Sequence, residues 1–385
     1  MLLVSGFWFL VFSTGCAEQG RTDDASDDNL EAAVIDEAPA GSWLLFRGNA
    51  LQTGVSKSEL PGPLAKLWEF KTRDTIEAAV AITDDTVYVG SMDGNLYALE
   101  LNTGKPRWSY KGGPFKCAPS IGPDGNVYIG DFDGLFHCVD AKTGKGKWTF
   151  ETGGEIVSGA NFTSDAVLFG SYADEHLYKV DLKGKLVWKF KTEGPINGAP
   201  AIAGKNTFVA GCDSQLRVLD LANGKEVRAV DLGGPAGASA GVSGTHLYVG
   251  TMSNEVLAID WKAGKIDWRF EARRNQQPFY ASAAVTDDLI LVGSRDRRLY
   301  GIDRKTGKEV WNFQTRGKVD SSPVVAGKYV YVGSQDGNLY VLDLAKGTQV
   351  QALKLGEGII AAPAVAAGRL VIGTEDGVVF CLGKK

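Results

Sequence analysis

A motif of the form Val-Tyr-Val-Gly-Ser recurs along most of this chain at an almost constant spacing. A fixed period of about 40 residues indicates an array of similar structural units rather than one irregular domain. The repeat therefore constrains the fold more than any other property of the sequence. Its glycine stands at eight positions, separated by 39 to 43 residues: Gly90, Gly130, Gly170, Gly211, Gly250, Gly293, Gly333 and Gly373.

Each unit contains four segments of strand length in the same order. In the unit around Gly333 these are a small-residue segment at 321–325, then 329–333, then 338–343, and a last segment after a turn that reads Gly-Lys in most units and Lys346-Gly347 here. The segments are rich in Val, Tyr, Leu and Trp and are bounded by Asp-Gly or Thr-Gly turns, which favours antiparallel strands. Four such strands per unit predict an all-β chain that folds as an eight-bladed β-propeller.

The two ends of the array predict how the ring closes. An outer segment follows seven of the eight units, but the chain stops shortly after Leu382 without an eighth. The missing segment stands before the first unit, around Trp68. We therefore expect the strand that contains Trp68 to complete the blade formed by residues 361–382, which leaves no open edge in the ring.

The first 42 residues differ from the repeats. Residues 1–16 form an uncharged apolar run that is too short to span a bilayer and ends at small residues and Cys16, which resembles a bacterial lipoprotein signal. The alternative is an ordinary cleaved signal peptide with an incidental cysteine, and both predict export. Residues 17–42 hold eight acidic residues against one basic residue, which predicts an acidic disordered tether before a propeller at 43–385.

Charge and metal-ligating residues exclude several classes of function. The net charge is -5, and the tether alone carries -7, so the remainder of the chain is at +2 and nothing in the nearly neutral propeller favours nucleic acid. The three histidines are scattered and the five cysteines are never closer than 21 residues, so no zinc-type cluster is predicted. No disulfide is predicted, because Cys117 and Cys138 belong to non-adjacent strands of one blade.

The repeated turn carries a more specific signal. The phrase x-x-Asp-x-x-Thr-Gly-Lys-x-x-Trp at 138–148 and 301–311 resembles the tryptophan-docking repeat of the pyrroloquinoline-quinone (PQQ) propeller superfamily. The resemblance covers residues 43–382, and the Trp-x-x-Phe-Arg-Gly opening at 43–48 is similar to that of exported members. We interpret the segment from Trp43 to Gly54 as a lid over one face of the ring. Within the superfamily the pattern is closest to the BamB-type lipoproteins, which implies a lipid-anchored, non-catalytic scaffold of outer-membrane β-barrel assembly.

The resemblance is also compatible with an enzyme, because the PQQ propeller superfamily includes quinone-dependent dehydrogenases. A quinone-dependent dehydrogenase needs a calcium ion, a catalytic acid and loops that shield the cofactor. The largest excess over a 40-residue unit is three residues, near 273–280, and the adjacent cysteine pair of PQQ alcohol dehydrogenases is missing. We therefore predict a monomeric scaffold without cofactor or metal, held by a lipid on Cys16 at the periplasmic face of the outer membrane. A PQQ-like dehydrogenase and a glycan-binding propeller are the alternatives.

A candidate docking surface follows from blade geometry. The turn between the second and third strands and the connection to the next blade emerge on the same face of the ring. Blades five to seven place basic residues there, beside Phe279 and Tyr280, which we expect to be exposed, while other blades contribute acids such as Asp131 and Glu375. Arginine with aromatic residues is typical of interface anchors, so we predict a protein partner, with a solvated charged rim as the alternative. The predicted partner-binding residues are Arg273, Arg274, Phe279, Tyr280, Arg295, Arg297, Arg298 and Arg316.

Overall fold

The computed structural model describes residues 41–60, 62–272 and 276–384. These residues contain strands and turns and no helix, and each of the eight repeats forms one antiparallel sheet. Cys16, the predicted signal at 1–16 and the predicted tether, except for its last two residues, lie outside the described residues. Within the described part of the chain, no helix is long and apolar enough to cross a membrane.

Each blade consists of four strands, from an innermost strand near the axis to an outer strand at the rim, and blades one to eight follow chain order. The innermost strands are β3 (Ala81–Ile82), β7 (Ser120–Ile121), β11 (Asn161–Phe162), β15 (Ala201–Ala203), β19 (Gly241–Ser243), β23 (Ala284–Val285), β27 (Val324–Ala326) and β31 (Ala364–Ala366). The second strands are β4 (Thr86–Gly90), β8 (Val127–Gly130), β12 (Ala166–Gly170), β16 (Asn206–Ala210), β20 (His246–Gly250), β24 (Leu289–Ser294), β28 (Tyr329–Gly333) and β32 (Arg369–Gly373). The third strands are β5 (Asn95–Glu100), β9 (Leu135–Val139), β13 (His176–Asp181), β17 (Gln215–Asp220), β21 (Glu255–Asp260), β25 (Arg298–Asp303), β29 (Asn338–Asp343) and β33 (Val378–Gly383). The outer strands are β6 (Pro106–Lys111), β10 (Gly146–Glu151), β14 (Leu186–Lys191), β18 (Glu226–Asp231), β22 (Lys265–Glu271), β26 (Glu309–Gln314), β30 (Gln349–Lys354) and, for blade eight, β2 (Ala65–Lys71).

The ring closes where the sequence predicts. Strand β2 pairs antiparallel with β33, so that Trp68 lies opposite Cys381 and Phe70 lies opposite Val379. The inner strands β3 and β31 of the first and last blades are in contact. The eighth blade is therefore built from both ends of the array, and the predicted eight-bladed architecture is confirmed.

The repeated tryptophans join neighbouring blades. The indole N–H of Trp188 donates to the carbonyl oxygen of Leu221 in the next blade at 3.0 Å. The ring lies against Gly224, which has a φ of +70° and where a Cβ would come within 2.6 Å of the indole. The turn glycine is thus required both by its left-handed backbone and by the ring above it. The same indole-to-carbonyl hydrogen bond is made by Trp68, Trp108, Trp148, Trp188, Trp268 and Trp311.

The glycine that defines the repeat has a packing function. A Cβ on Gly130 would lie 2.5 Å from the Cβ of Ile156, which enters from the following blade. Large side chains at this repeat position fill the space between blades and are fully buried, as Ile76, Phe115, Ile156, Ile196, Phe279, Val319 and Ile359 show. The strand-end glycine recurs because it allows this close approach.

The segment 43–58, which we call the lid segment, crosses one face of the ring and contacts every blade. Backbone hydrogen bonds tie it to inner strands from Ile82 in blade one to Val325 in blade seven, where Val55 and Ser56 (β1) add a parallel fifth strand. In blade three the side-chain amide of Asn161 donates to the carbonyl oxygen of Ala50. In blade eight the carbonyl oxygen of Val365 accepts a hydrogen bond from the hydroxyl of Ser56. The predicted lid is confirmed.

Arg47 lies inside the lid segment, and its side chain is fully buried. Its Nη2 donates to the carbonyl oxygens of Ala283 at 3.1 Å and Pro323 at 2.6 Å, which links the lid to blades six and seven. Burial lowers the pKa of Arg47 to about 9, because the charged form loses its hydration. The two carbonyl oxygens hold the side chain of Arg47 in place.

Candidate protein-interaction face

The face opposite the lid segment is formed by two sets of loops, as predicted: the turns between second and third strands, and the connections into the next blade. We call it the turn face. The two sets of loops are joined by hydrogen bonds, for example from the Arg73 amide to Asp93 at 3.1 Å and from the Arg316 amide to Asp336 at 2.9 Å. The turn aspartates also accept bonds within their own turns. These aspartates hold loops together through their carboxylates, as is typical of Asp in turns.

A funnel of about 440 Å³ opens at the centre of the turn face. Its wall consists mainly of small residues of the inner segments, such as Ala79, Ala118 and Ser322, and Phe46 of the lid segment also lines it. Bulky side chains are thus absent from most of the positions nearest the axis, which leaves a central space that the lid closes from below.

The funnel carries three carboxylates and two cations. Lys116 pairs with Glu77 at 3.2 Å, and Arg295 pairs with Asp320 at 3.0 Å. The third carboxylate, Glu375, has a raised pKa because of its burial and the nearby carboxylates, Glu77 first among them. Both cations are therefore neutralised, and the funnel retains a surplus of negative charge.

Two of the predicted partner-binding residues meet at the edge of the funnel. The guanidinium of Arg295 stacks on the ring of Tyr280 at 3.9 Å from its centroid, and it donates to both oxygens of Asp320. Those hydrogen bonds raise the pKa of Arg295. Gln335 also donates to Asp320 at 3.1 Å. The group forms a half-buried platform in which the guanidinium lies over the aromatic ring.

Other predicted cations lie nearby but separately. Arg297 and Arg316 are exposed on the turn face, as is Lys318. Arg298 begins β25 and donates instead to Asn312 on the outer strand β26. We use the name basic sector for Tyr280, Arg295, Arg297, Arg316 and Lys318. Arg273 and Arg274 lie outside the described residues.

The prediction that Phe279 is exposed is wrong. Its side chain is fully buried and occupies the interblade position described above, where a Cβ on Gly250 would lie 2.6 Å from the Cβ of Phe279. The insertion before it accounts for the wrong assignment, because the extra residues precede Phe279 and leave it in register with Val319 and Ile359. Phe279 therefore supports the fold and is not available to a partner.

Asp131 does not belong to the predicted acidic rim, because it is fully buried. Its carboxylate pairs with the ring of His137 at 2.8 Å and accepts the amides of Gly113 and Leu135. Burial alone would raise the pKa of Asp131, but the hydrogen bond from His137 and those from the amides outweigh it and lower the pKa. The pair acts as an internal connection between two loops.

We expect Asp131→Asn to lower the free energy of unfolding by about 2 kcal/mol, because an amide cannot accept all of these donors. Because the pKa of Asp131 is lower in the folded state than its unfolded value of about 4, the ionised carboxylate stabilises the fold above about pH 4. This stabilisation is lost as the pH falls through the folded-state pKa. The difference between wild type and variant in urea denaturation should therefore shrink below about pH 4. Asp133→Asn, at an exposed neighbour, is the control; an equal loss there would contradict this account.

Asp320 and Gln335 are site residues that the sequence patterns considered above do not predict. Asp320 occupies the same repeat position as Glu77, Lys116 and Tyr280, which all line the funnel. Alignment of the eight repeats by their glycines identifies this position as the rim of the central opening. Gln335 follows the strand-end glycine by two residues, as Arg295 does.

An eight-bladed ring with docked tryptophans and a lid across one face defines a propeller of the PQQ-repeat class. The chain belongs to the family described as outer membrane protein assembly factor BamB, whose model matches residues 65–171, 153–235, 213–357 and 315–385. A search of curated proteins finds no match.

Solved structures share the fold. BamB from Moraxella catarrhalis is 22% identical with a TM-score of 0.71, covering 84% of this chain and 98% of that one. The computationally designed Ika8 protein is 18% identical with a TM-score of 0.74, covering 83% and 99%. A europium-containing methanol dehydrogenase is 14% identical with a TM-score of 0.77, covering 90% and 98%. At these identities the likeness concerns the fold alone.

The dehydrogenase branch of the superfamily implies a quinone with a metal ion, and the funnel does not fit that pair. PQQ carries three carboxylates, whereas both funnel cations are already paired and the surplus charge is negative. In the described residues, the group of His, Asp, Glu or Cys that could hold a metal is His246, Asp260 and Asp267, and it lies in blade five outside the funnel lining.

Proposed function

We propose that the chain is a non-catalytic scaffold of the cell envelope that docks a partner protein of outer-membrane β-barrel assembly. In this proposal a lipid on Cys16 holds it at the periplasmic face of the outer membrane, and the acidic segment 17–42 spans the distance to the propeller. A role in outer-membrane protein assembly is supported by the family to which the chain belongs, because the description of that family names this process. The apolar segment that ends at Cys16 supports the membrane anchor.

The observation that carries the docking role is the basic sector. An arginine stacked on tyrosine and fixed by a bidentate carboxylate is already ordered before binding, so less side-chain entropy is lost on contact. Arg297 and Arg316 surround this platform with exposed positive charge. A rigid aromatic centre with a charged rim is the composition of protein interfaces.

We expect the native lipidated protein, extracted in detergent, to bring down components of the β-barrel assembly machinery. The double charge reversal Arg297→Glu/Arg316→Glu should reduce this recovery about tenfold, because rim charges of the wrong sign repel the partner and slow association. Quantitative mass spectrometry of the co-purified proteins measures the effect.

Arg73→Glu provides a matched control, because Arg73 has the same repeat position as Arg316 and lies in the connection into blade one. It should leave recovery unchanged. Absence of assembly components from the wild-type extract would refute the proposed process, and equal recovery with the double variant would refute docking at the basic sector.

A further inference from the structure

A cleft of about 570 Å³ lies beside the Tyr280–Arg295 platform, between the turn of blade six and the connection into blade seven. We call it the blade 6–7 cleft. A volume of this size is in the range of specific ligand sites. Its lining is polar and charged throughout: Gln277, Arg295, Asp296, Arg297, Gly317, Lys318 and Gln335.

Two of the cations in this lining are available to a ligand. Arg295 is neutralised by Asp320, and Asp296 is only 3% exposed and accepts the hydroxyl of Tyr300. Arg297 and Lys318 are exposed, and their side chains make no hydrogen bond or ion pair with residues 41–60, 62–272 or 276–384. The solvent-facing charge of the cleft is therefore positive and unpaired.

The backbone at Arg297 favours glycine. Its φ is +71°, in the left-handed region, and the same turn position is occupied by Gly94, Gly134, Gly337 and Gly377 in four other blades. An arginine is conformationally costly there, and the turn itself has no use for its side chain. Glu175, at the same position in blade three with a φ of +59°, shows that the turn tolerates a long side chain of either charge.

We propose that the blade 6–7 cleft binds carboxylate side chains from an acidic segment of the partner protein. This inference rests on the docking function proposed above and specifies the chemistry of the contact. Arg297 would bind a carboxylate through its planar guanidinium, with Lys318 as a second point charge.

The surroundings of the cleft favour a short acidic segment over an extended anion. Other blades place Asp133, Glu175 and Glu375 on the turn face. A membrane surface or a nucleic acid lying across this face would meet those acids and be repelled, whereas a few acidic side chains can enter one basic cleft.

The test measures binding of a fluorescein-labelled hexaglutamate peptide to the purified full chain by fluorescence polarisation. Binding should weaken as salt rises, and Arg297→Gly should weaken it about tenfold. Because glycine suits the left-handed backbone, the same variant should unfold at an equal or higher temperature. If Arg297→Gly folds at least as well as the wild type and binds hexaglutamate more weakly, misfolding cannot explain the weaker binding.

Glu175→Gly is the matched control, since it makes the same backbone change with the opposite charge. It should leave hexaglutamate binding unchanged. Equal binding by wild type and Arg297→Gly, an equal loss in Glu175→Gly, or binding of phosphatidylglycerol vesicles without hexaglutamate binding would each overturn the assignment. If hexaglutamate does not bind but assembly components are still recovered, only the assignment of the cleft is refuted. If hexaglutamate binds but no assembly components are recovered, only the proposed partner is refuted.

Discussion

Trp68→Ala is expected to lower the free energy of unfolding by about 4 kcal/mol, the range of large aromatic deletions in protein cores. Trp68 is 8% exposed, its indole donates to Leu101 at 2.7 Å, and its ring covers Gly104. It therefore contributes both burial and a hydrogen bond to the contact between blade eight and blade one. Urea denaturation followed by circular dichroism measures the loss.

The expected size of this effect comes from the position of β2 in the ring. This strand is covalently continuous with blade one but joins blade eight only through its pairing with β33. When Trp68 is removed, the ring can open at this seam and expose two strand edges, which promotes aggregation.

Trp188→Ala is the matched comparison, because Trp188 makes the same contact between blades three and four. That tryptophan is less buried, and its strand β14 follows β13 directly in the chain, so blade three keeps its outer strand when the contact is lost. We expect a loss of about 2 kcal/mol without ring opening. Equal losses in the two variants would show that closure at β2 has no special role.

The sequence was sufficient to predict the blade number, the closing strand and the turn face. Each depends on patterns repeated eight times, so an error in one unit is corrected by the other seven. The prediction that Trp68 lies in the last blade needed only the count of outer segments. The lid was anticipated from its motif, but its contact with all eight blades and the extra strand β1 were not.

Single positions were harder to predict than the ring. Phe279 and Asp131 stand in loops, which favours exposure, yet both are buried. Phe279 packs against Gly250 of the neighbouring blade, and Asp131 is enclosed by His137 and the amides that it accepts. Contacts between blades join residues about 20 to 30 positions apart, as in Gly250 with Phe279, and they depend on register between blades. Hydrophobic periodicity within one segment carries no information about that register.

The candidate site was predicted by composition and not by geometry. The charges of the basic sector are visible in the sequence, but the pairing of Arg295 with Asp320 separates a neutralised cation from the free ones. The glycines at the same turn position in four other blades indicate a left-handed residue at Arg297, but its φ of +71° is seen only in coordinates. Both facts decide which arginines a docking experiment should replace.

Gly54→Ala is expected to lower the free energy of unfolding by about 3 kcal/mol, a sum of left-handed strain and overpacking. Gly54 has a φ of +67°, and a Cβ there would overlap the Nη2 of Arg47 and lie 2.9 Å from its Nε. Arg47 is 1% exposed and held by two carbonyls, so it has no room to move aside. The new methyl group should therefore displace the lid segment and release the bond from Val325 to Gly54.

Gly368→Ala separates the two causes, because Gly368 has a φ of +66° but a Cβ there would meet no other atom within 4 Å, so only strain of about 1 kcal/mol remains. Hydrogen exchange should then show faster opening of residues 43–56 in Gly54→Ala alone. In the double variant Arg47→Ala/Gly54→Ala the methyl group gains space, so the combined loss should be smaller than the sum of the single losses. Strict additivity would mean that Arg47 does not confine Gly54, and the lid would then be held by its backbone hydrogen bonds alone.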